Sequence, residues 1–184
     1  MWKDSIKPSS AIEAVCRTIF AALFVVSAPI AGDAKVAVTT YHYDNLRTGW
    51  NSSETTLIAS TFPRNFGVVR TVQLDDQVDA QPLIVPDLRI AGKRHDVVYV
   101  ATESNSVYAI DASSGQILIS TNLGPSVPVR LGCLNNGPHL GITGTPVVSV
   151  NSNLLFVIAY VNLTPSSPTP TPSYQLHALS LLTL

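Results

Sequence analysis

Residues 96–119, DVVYVATESNSVYAIDASSGQILI, constrain the fold of this 184-residue chain more than any other stretch. They predict three short strands in succession. Val97-Val98-Tyr99-Val100-Ala101 is a near-continuous apolar run without polar alternation, so a strand there needs cover on both faces. Glu103-Ser104-Asn105-Ser106 predicts a polar turn, and residues 107–110 the returning strand. Asp111 is placed to accept backbone N–H groups two or three residues on, which tightens a turn. Gly115 supplies the left-handed conformation that closes such a turn, and Ile117-Leu118-Ile119 starts the outgoing strand.

An antiparallel sheet normally leaves one face wet. A β-propeller removes that face by packing each four-stranded sheet between two neighbours around a central axis. The pattern also returns downstream, as repeated sheets require. Gln81-Pro82-Leu83-Ile84-Val85 is similar to Thr145-Pro146-Val147-Val148-Ser149. Val98-Tyr99-Val100-Ala101 is similar to Leu155-Phe156-Val157-Ile158, and Val107-Tyr108-Ala109-Ile110-Asp111 to Leu176-His177-Ala178-Leu179-Ser180. Order is kept while the spacing between equivalents changes, so the loops differ and the strands do not. The expected fold is all-β: a partial β-propeller of antiparallel four-stranded blades, an incomplete ring, preceded by an N-terminal signal helix. The divisions are 1–34 signal peptide, 35–65 lead-in segment, 66–124 first blade and 125–184 incomplete second blade, with a Pro-rich loop at 164–173.

The spacing Ala109-x-Asp111-x-x-Ser114-Gly115-x-x-x-Ile119 resembles the A-x-D-x-x-T-G-x-x-x-W repeat of pyrroloquinoline-quinone-type, or quinoprotein-like, β-propellers. Tyr41-His42-Tyr43-Asp44-Asn45-Leu46-Arg47-Thr48-Gly49 and Gly141-Ile142-Thr143-Gly144-Thr145-Pro146 resemble stretches of bacterial exported proteins that carry such repeats. The resemblance spans roughly residues 38–179. It departs from the family pattern at Ile119 for tryptophan and at Ser114 for threonine. In the second copy Ser180 stands for the aspartate and Leu184 for the glycine.

Lys3, Lys7 and Arg17 precede an apolar run at 19–30 that is short for a membrane span and has the proportions of a signal-peptide core. Gly32 and Ala34 suit cleavage after Ala34, and cleavage after Ala31 fits nearly as well. The expectation is export, to the periplasm or the medium. Cleavage removes Cys16 and leaves Cys133 without an intrachain partner, which excludes a disulfide framework and a cysteine-based metal site. With 11 Lys and Arg against 12 Asp and Glu, net charge is −1. No basic stripe points to nucleic acid or an anionic surface.

Size sets a further expectation. A blade takes roughly 40–50 residues and a closed ring about four to eight blades. This length holds one full blade and most of a second. The chain is therefore expected to be a truncated product or part of an interrupted reading frame, or to be completed by a partner chain or by further copies. The proline-rich run between Asn162 and Tyr174 favours polyproline II backbone, and is expected as a solvated loop between two strands. Asn51-Ser52-Ser53 and Asn162-Leu163-Thr164 match glycosylation sequons, which matter only in a eukaryotic secretory route.

The resemblance implies that an enzyme of this kind holds pyrroloquinoline quinone (PQQ) with a divalent cation at the propeller axis, beside a carboxylate base. Asp75, Asp76, Asp79 and Glu103 lie nearest possible inner strand ends, and an ordinary turn role accounts for each. Family enzymes share a vicinal cysteine pair and a tryptophan under the cofactor. This chain has no Cys-Cys, and past the signal region its one tryptophan is Trp50. His42-x-Asp44 on a strand would place both side chains on one face, and with His139 offers a reading as metal ligands or as base and orienter, but the ligand set is not completed by any further residue. Arg47, with Asp44 and Asn45, is read as pinning the N-terminal segment. His139, in a Gly/Pro loop, and His177, in a strand, have no partner suggested by spacing. No catalytic or metal residue is assigned, and Ala109, Asp111, Ser114 and Gly115 are assigned as the structural repeat turn. The reading is an exported scaffold or binding surface, more simply non-enzymatic. The alternatives are the N-terminal part of a PQQ-dependent dehydrogenase, whose quinone and cation need further blades, and a non-functional truncated product.

Overall fold

The computed structural model describes residues 35–57, 66–128 and 137–184. The signal segment at 1–34 and Cys133 lie outside them. The described residues are all β, with no helix among them. Among the described residues nine strands run in order: β1 Leu83–Ile90, β2 Lys93–Ala101, β3 Ser106–Asp111, β4 Ile117–Asn122, β5 Val127–Pro128, β6 His139–Leu140, β7 Val147–Ser149, β8 Leu154–Asn162 and β9 Pro172–Ser180. They form antiparallel sheets of order β1-β2-β3-β4, β5-β6 and β7-β8-β9.

The apolar run at 97–101 forms the second half of β2, and the Asp111 turn joins β3 to β4 as its spacing predicts. β1 and β2 extend further than that apolar run. Ala91 and Gly92, both at positive φ, turn the chain so that Arg89 faces Arg94 and Ile90 faces Lys93. The β1–β2 register shifts between Val85 and Leu88, where Pro86 has no N–H to give and Asp87 takes φ 60°. The proline-rich run does connect β8 to β9, but β9 begins at Pro172, opposite Asn162, rather than at Tyr174. Proline is tolerated there because it opens a strand on the sheet's outer edge.

Strand register aligns the two larger sheets. In the first, Leu83 faces Tyr99 and Tyr99 faces Ala109. In the second, Val147 faces Phe156 and Phe156 faces Ala178. These rows contain the residue pairs that the repeat comparison aligns. Their burial, however, is opposite. Leu83, Tyr99 and Ala109 are 1%, 2% and 0% exposed, whereas Val147 and Ala178 are exposed and Phe156 is half-buried. The second sheet buries the other row set: Val148, Leu155, Val157, Ala159 and Val161 join Leu83, Val85, Val97, Tyr99, Ala101, Val107 and Ala109 in one core. The sheets therefore stack front to back, one face of the first on the opposite register face of the second, instead of clasping like faces.

Polar ties fix this stacking. The Tyr99 hydroxyl donates to the Leu181 carbonyl at 2.5 Å, which satisfies a buried O–H inside the core. Burial of that phenol pushes its pKa up. Asn105, fully buried at φ 61°, donates to the carbonyls of Tyr160 at 2.9 Å and Gly124 at 3.2 Å. Val38 pairs with Ile84 while the Thr39 carbonyl accepts from Val148 N–H, so the lead-in segment touches both sheets.

Front-to-back stacking assigns opposite fates to neighbours on β8. Leu155→Ala is expected to cost about 2–5 kcal/mol through a cavity between the sheets. Ile158→Ala, at a 54% exposed position, is expected to change stability by no more than about 0.5 kcal/mol. Denaturant unfolding of the two variants reads the contrast.

Candidate functional site

Chemistry-bearing side chains gather at both ends of the first sheet. At one end lies the repeat turn. Asp111 Oδ1 accepts the backbone N–H and hydroxyl of Ser113, at 3.1 and 2.6 Å, and those of Ser114, at 2.7 and 2.8 Å. Its Oδ2 lies 2.6 Å from His95 Nδ1. Gly115, at φ 74°, donates its N–H to the Asp111 carbonyl at 2.8 Å and lets the backbone close. The Ser113 hydroxyl, then His95 and Ser114, hold the Asp111 carboxyl well below its ordinary range.

The turn after β9 takes the same backbone form without the signature residues. Leu184 N–H donates to the Ser180 carbonyl at 2.9 Å, as Gly115 does to Asp111, and Leu184 takes φ 55°. Leu182 N–H donates to Ser180 Oγ at 3.1 Å, as Ser113 does to Asp111. Leu181 N–H bonds the Asn153 carbonyl at 2.9 Å, and Ala112 N–H the Asp96 carbonyl at 2.8 Å. The Ser180 and Leu184 departures thus keep the backbone and drop only the charge.

Beside the first turn a cleft of about 240 Å³ is lined by Lys35, Asp87, Arg94, His95, Asp96 and Asp111, among others. Its bases are matched: Lys35 to Asp96 at 2.9 Å, Arg94 to Asp87, and His95 to Asp111. Each ionisable side chain named here is therefore bonded to another across the cleft.

At the other end, the fold brings together three of the four carboxylates singled out from sequence, and adds His139. Asp75 accepts from Thr102 Oγ1 at 2.8 Å and Ser106 Oγ at 2.5 Å. Asp76 accepts from Ser104 Oγ at 2.7 Å and Gln77 N–H at 2.9 Å, and meets His139 Nδ1 at 2.9 Å. Burial works to raise the Asp76 carboxyl, but Ser104, Gln77 N–H and His139 together outweigh it and hold the group low. Glu103 is fully buried, its Oε2 taking the Gly137 N–H at 3.2 Å. Asp79 stands outside this group and accepts from the Gln77 amide at 2.6 Å.

These bonds clasp residues 75–77 and the β5–β6 region onto the β2–β3 turn. An imidazole oriented by a carboxylate is half of a nucleophile-activating pair. Here, however, the Ser104 hydroxyl donates to the same Asp76 oxygen that meets His139, so serine is bonded to the carboxylate and not to the imidazole. Among the described residues no group of three or more His, Cys, Asp or Glu is arranged to hold a metal.

The His42-x-Asp44 stretch is a turn and not a strand, because His42 and Tyr43 adopt φ of 54° and 77°. The His42 ring stacks on Tyr41 at 4.0 Å, and Asp44 is occupied by the N–H and hydroxyl of Thr48. Arg47 does pin this segment, through Thr40 Oγ1 and the Tyr41 carbonyl rather than through the side chains of Asp44 or Asn45. His139 lies in β6 and has a partner 63 residues away, which no local spacing discloses. His177 lies in β9 as expected, its Nε2 buried without a hydrogen-bond partner among the described residues. Asn105 is the structural residue that sequence reading missed: it looks like an ordinary turn polar residue and is a fully buried tie.

Comparison with protein-family models, curated proteins and solved structures finds no match for this chain.

Two substitutions test the local chemistry. The low folded-state value of Asp111 means the unfolded chain takes up the proton first, so its contribution is complete above the ordinary value of 3.8. It is lost as pH falls below that through the folded value. Asp111→Ala should therefore cost about 1–3 kcal/mol near neutrality, and the gap to the parent should narrow in acid, measured by urea melts across pH. A Cβ at Gly141 would sit 2.2 Å from the Glu103 carbonyl oxygen and 2.6 Å from Asn105 Oδ1. Gly141→Ala is expected to lose about 1–3 kcal/mol by overpacking, read by the same melts.

Proposed function

We propose that this chain is an exported, quinoprotein-like β-propeller repeat segment that serves as a non-catalytic scaffold or binding surface. The observation that carries this reading is the front-to-back stacking of two register-equivalent sheets. Such stacking has no internal stopping point, so each sheet presents the next with an equivalent surface. A two-fold sandwich would consume both apolar faces at once; this arrangement leaves one on offer.

The placement of the acidic residues also supports the scaffold reading. Asp75, Asp76 and Glu103, the candidates for a base or cation ligands, accept hydrogen bonds from hydroxyls and N–H groups that hold the β2–β3 turn in place. These bonds give each of the three carboxylates a structural role that calls for neither a cation nor an alcohol substrate. The recurring turn, kept by backbone geometry when its aspartate and glycine are replaced, is consistent with a repeat maintained for architecture. Export follows from the composition of residues 1–34 and stands as part of the proposal.

Titration with PQQ in the presence of calcium, followed by alcohol-dependent dye reduction, tests the non-catalytic part. The expected result is no saturable quinone binding and no dye reduction above the protein-free rate. Stoichiometric binding with turnover would overturn it, in favour of a PQQ-dependent dehydrogenase.

A further inference from the structure

We propose that Ser166 and Thr169, on the loop between β8 and β9, are acceptor hydroxyls for O-linked sugar. This goes beyond the scaffold reading and rests on the export reading only for the compartment in which the sugar is added.

The proline-rich run takes no part in the core. The β8–β9 ladder ends where Asn162 faces Pro172, so residues 163–171 form the loop. Hydrogen bonds close its base. Asn162 Oδ1 accepts the N–H groups of Thr164 and Thr171, each at 3.1 Å, and Leu163 N–H donates to the Thr171 carbonyl at 2.8 Å. Thr164 Oγ1 meets Thr171 Oγ1 at 3.0 Å and the Thr169 carbonyl at 3.3 Å. Ser167 N–H returns to the Thr164 carbonyl at 3.0 Å. Residues 164–167 are therefore a β-turn with Pro165 at its second position, where the fixed φ of proline fits. Ser167 Oγ accepts the Thr169 N–H at 3.2 Å.

These bonds sort the hydroxyls of the loop. Those of Thr164, Ser167 and Thr171 are engaged in holding it. Those of Ser166 and Thr169 are exposed and bonded to nothing among the described residues. Ser166 stands at the outer corner of the turn. Thr169 lies between Pro168 and Pro170, and the proline that follows it keeps its backbone extended. Neither residue belongs to a strand, so an enzyme reaches both without opening the sheet.

The chemistry of the loop narrows what can be attached. Residues 163–173 carry no ionisable side chain. No base in the loop activates either hydroxyl, so each reacts only with an enzyme that brings a base and an activated donor. Past the cytoplasm the nucleoside triphosphates that drive phosphorylation are missing, whereas phosphate-linked sugars serve as donors there. The hydroxyl oxygen bonds to the anomeric carbon of such a donor as the bond from that carbon to the phosphate oxygen breaks. The phosphate leaves with the electron pair, and the hydroxyl proton goes to the transferase's base. Ser and Thr interleaved with proline is the composition of O-glycosylated stalks; here it is mounted on the end of a folded hairpin. Attachment to nitrogen is closed off in the folded chain, because Asn162 of the sequon is 4% exposed and its side chain ties the base of the loop.

Mass spectrometry of the full chain recovered from the cells that naturally produce it tests this, read on the proteolytic peptide that spans residues 163–173. That peptide should be heavier than its sequence by sugar residues, and fragmentation should locate them on Ser166 and Thr169. Ser166→Ala and Thr169→Ala should each lose the sugar of one site, and the double variant should return to the unmodified mass. Neither hydroxyl holds a bond within the fold, so the variants should accumulate as the parent does. A peptide of unmodified mass in the parent would overturn the proposal. So would sugar on Thr164, Ser167 or Thr171 with Ser166 and Thr169 bare, or phosphate in place of sugar. The export reading fails separately, if the chain is found in the cytoplasm with residues 1–34 attached; the mass of the 163–173 peptide is read in either case.

Discussion

The burial of one face of the first sheet against the opposite face of the second is the interaction on which the rest depends. Leu83, Val97, Tyr99, Val107 and Ala109 meet Leu155, Val157, Ala159 and Val161 in a single core. Apolar burial is non-directional, so area alone would be equally served by like faces. The direction comes from polar groups that fit only one arrangement: Tyr99 on the Leu181 carbonyl and Asn105 on the Tyr160 carbonyl. Each would be a buried, unsatisfied donor if the second sheet were turned over, at a cost comparable to several buried methylenes.

That arrangement explains features that look unrelated along the chain. A polar turn residue, Asn105, is fully buried because the β2–β3 turn is where one sheet hands over to the next. Gly141 tolerates no side chain because its backbone lies against Glu103 and Asn105. Tyr174 and Leu176 are exposed because they lie on the face of the second sheet turned away from the shared core. The acidic group at Asp75, Asp76 and Glu103 is spent on the same handover, holding residues 75–77 to the turn.

Much of the first sheet is legible in the residues, because its strands carry covered-on-both-sides apolar runs and its turn carries Asp and Gly at the needed spacing. The first part of β2, Lys93-Arg94-His95-Asp96, is not legible. It projects beyond the core, where strand pairing is driven by the Ala91-Gly92 turn and not by apolar periodicity. The second turn is also hidden: a serine hydroxyl and a leucine at positive φ do there what aspartate and glycine do at 111–115. The site was legible only in part. Asp75, Asp76 and Glu103 stand out as acidic residues near strand ends, but their partners Thr102, Ser104, Ser106 and His139 are set by tertiary contact. The turn at His42 was hidden for a different reason, since non-glycine residues at positive φ carry no composition signal.

The account turns on which face of the second sheet looks inward, and nuclear Overhauser contacts to the Tyr99 ring report that most directly. Front-to-back stacking predicts cross-peaks from the Tyr99 ring to Leu181 and none to Phe156, its register equivalent. Cross-peaks between Tyr99 and Phe156, with none to Leu181, would mean that like faces meet and would contradict front-to-back stacking.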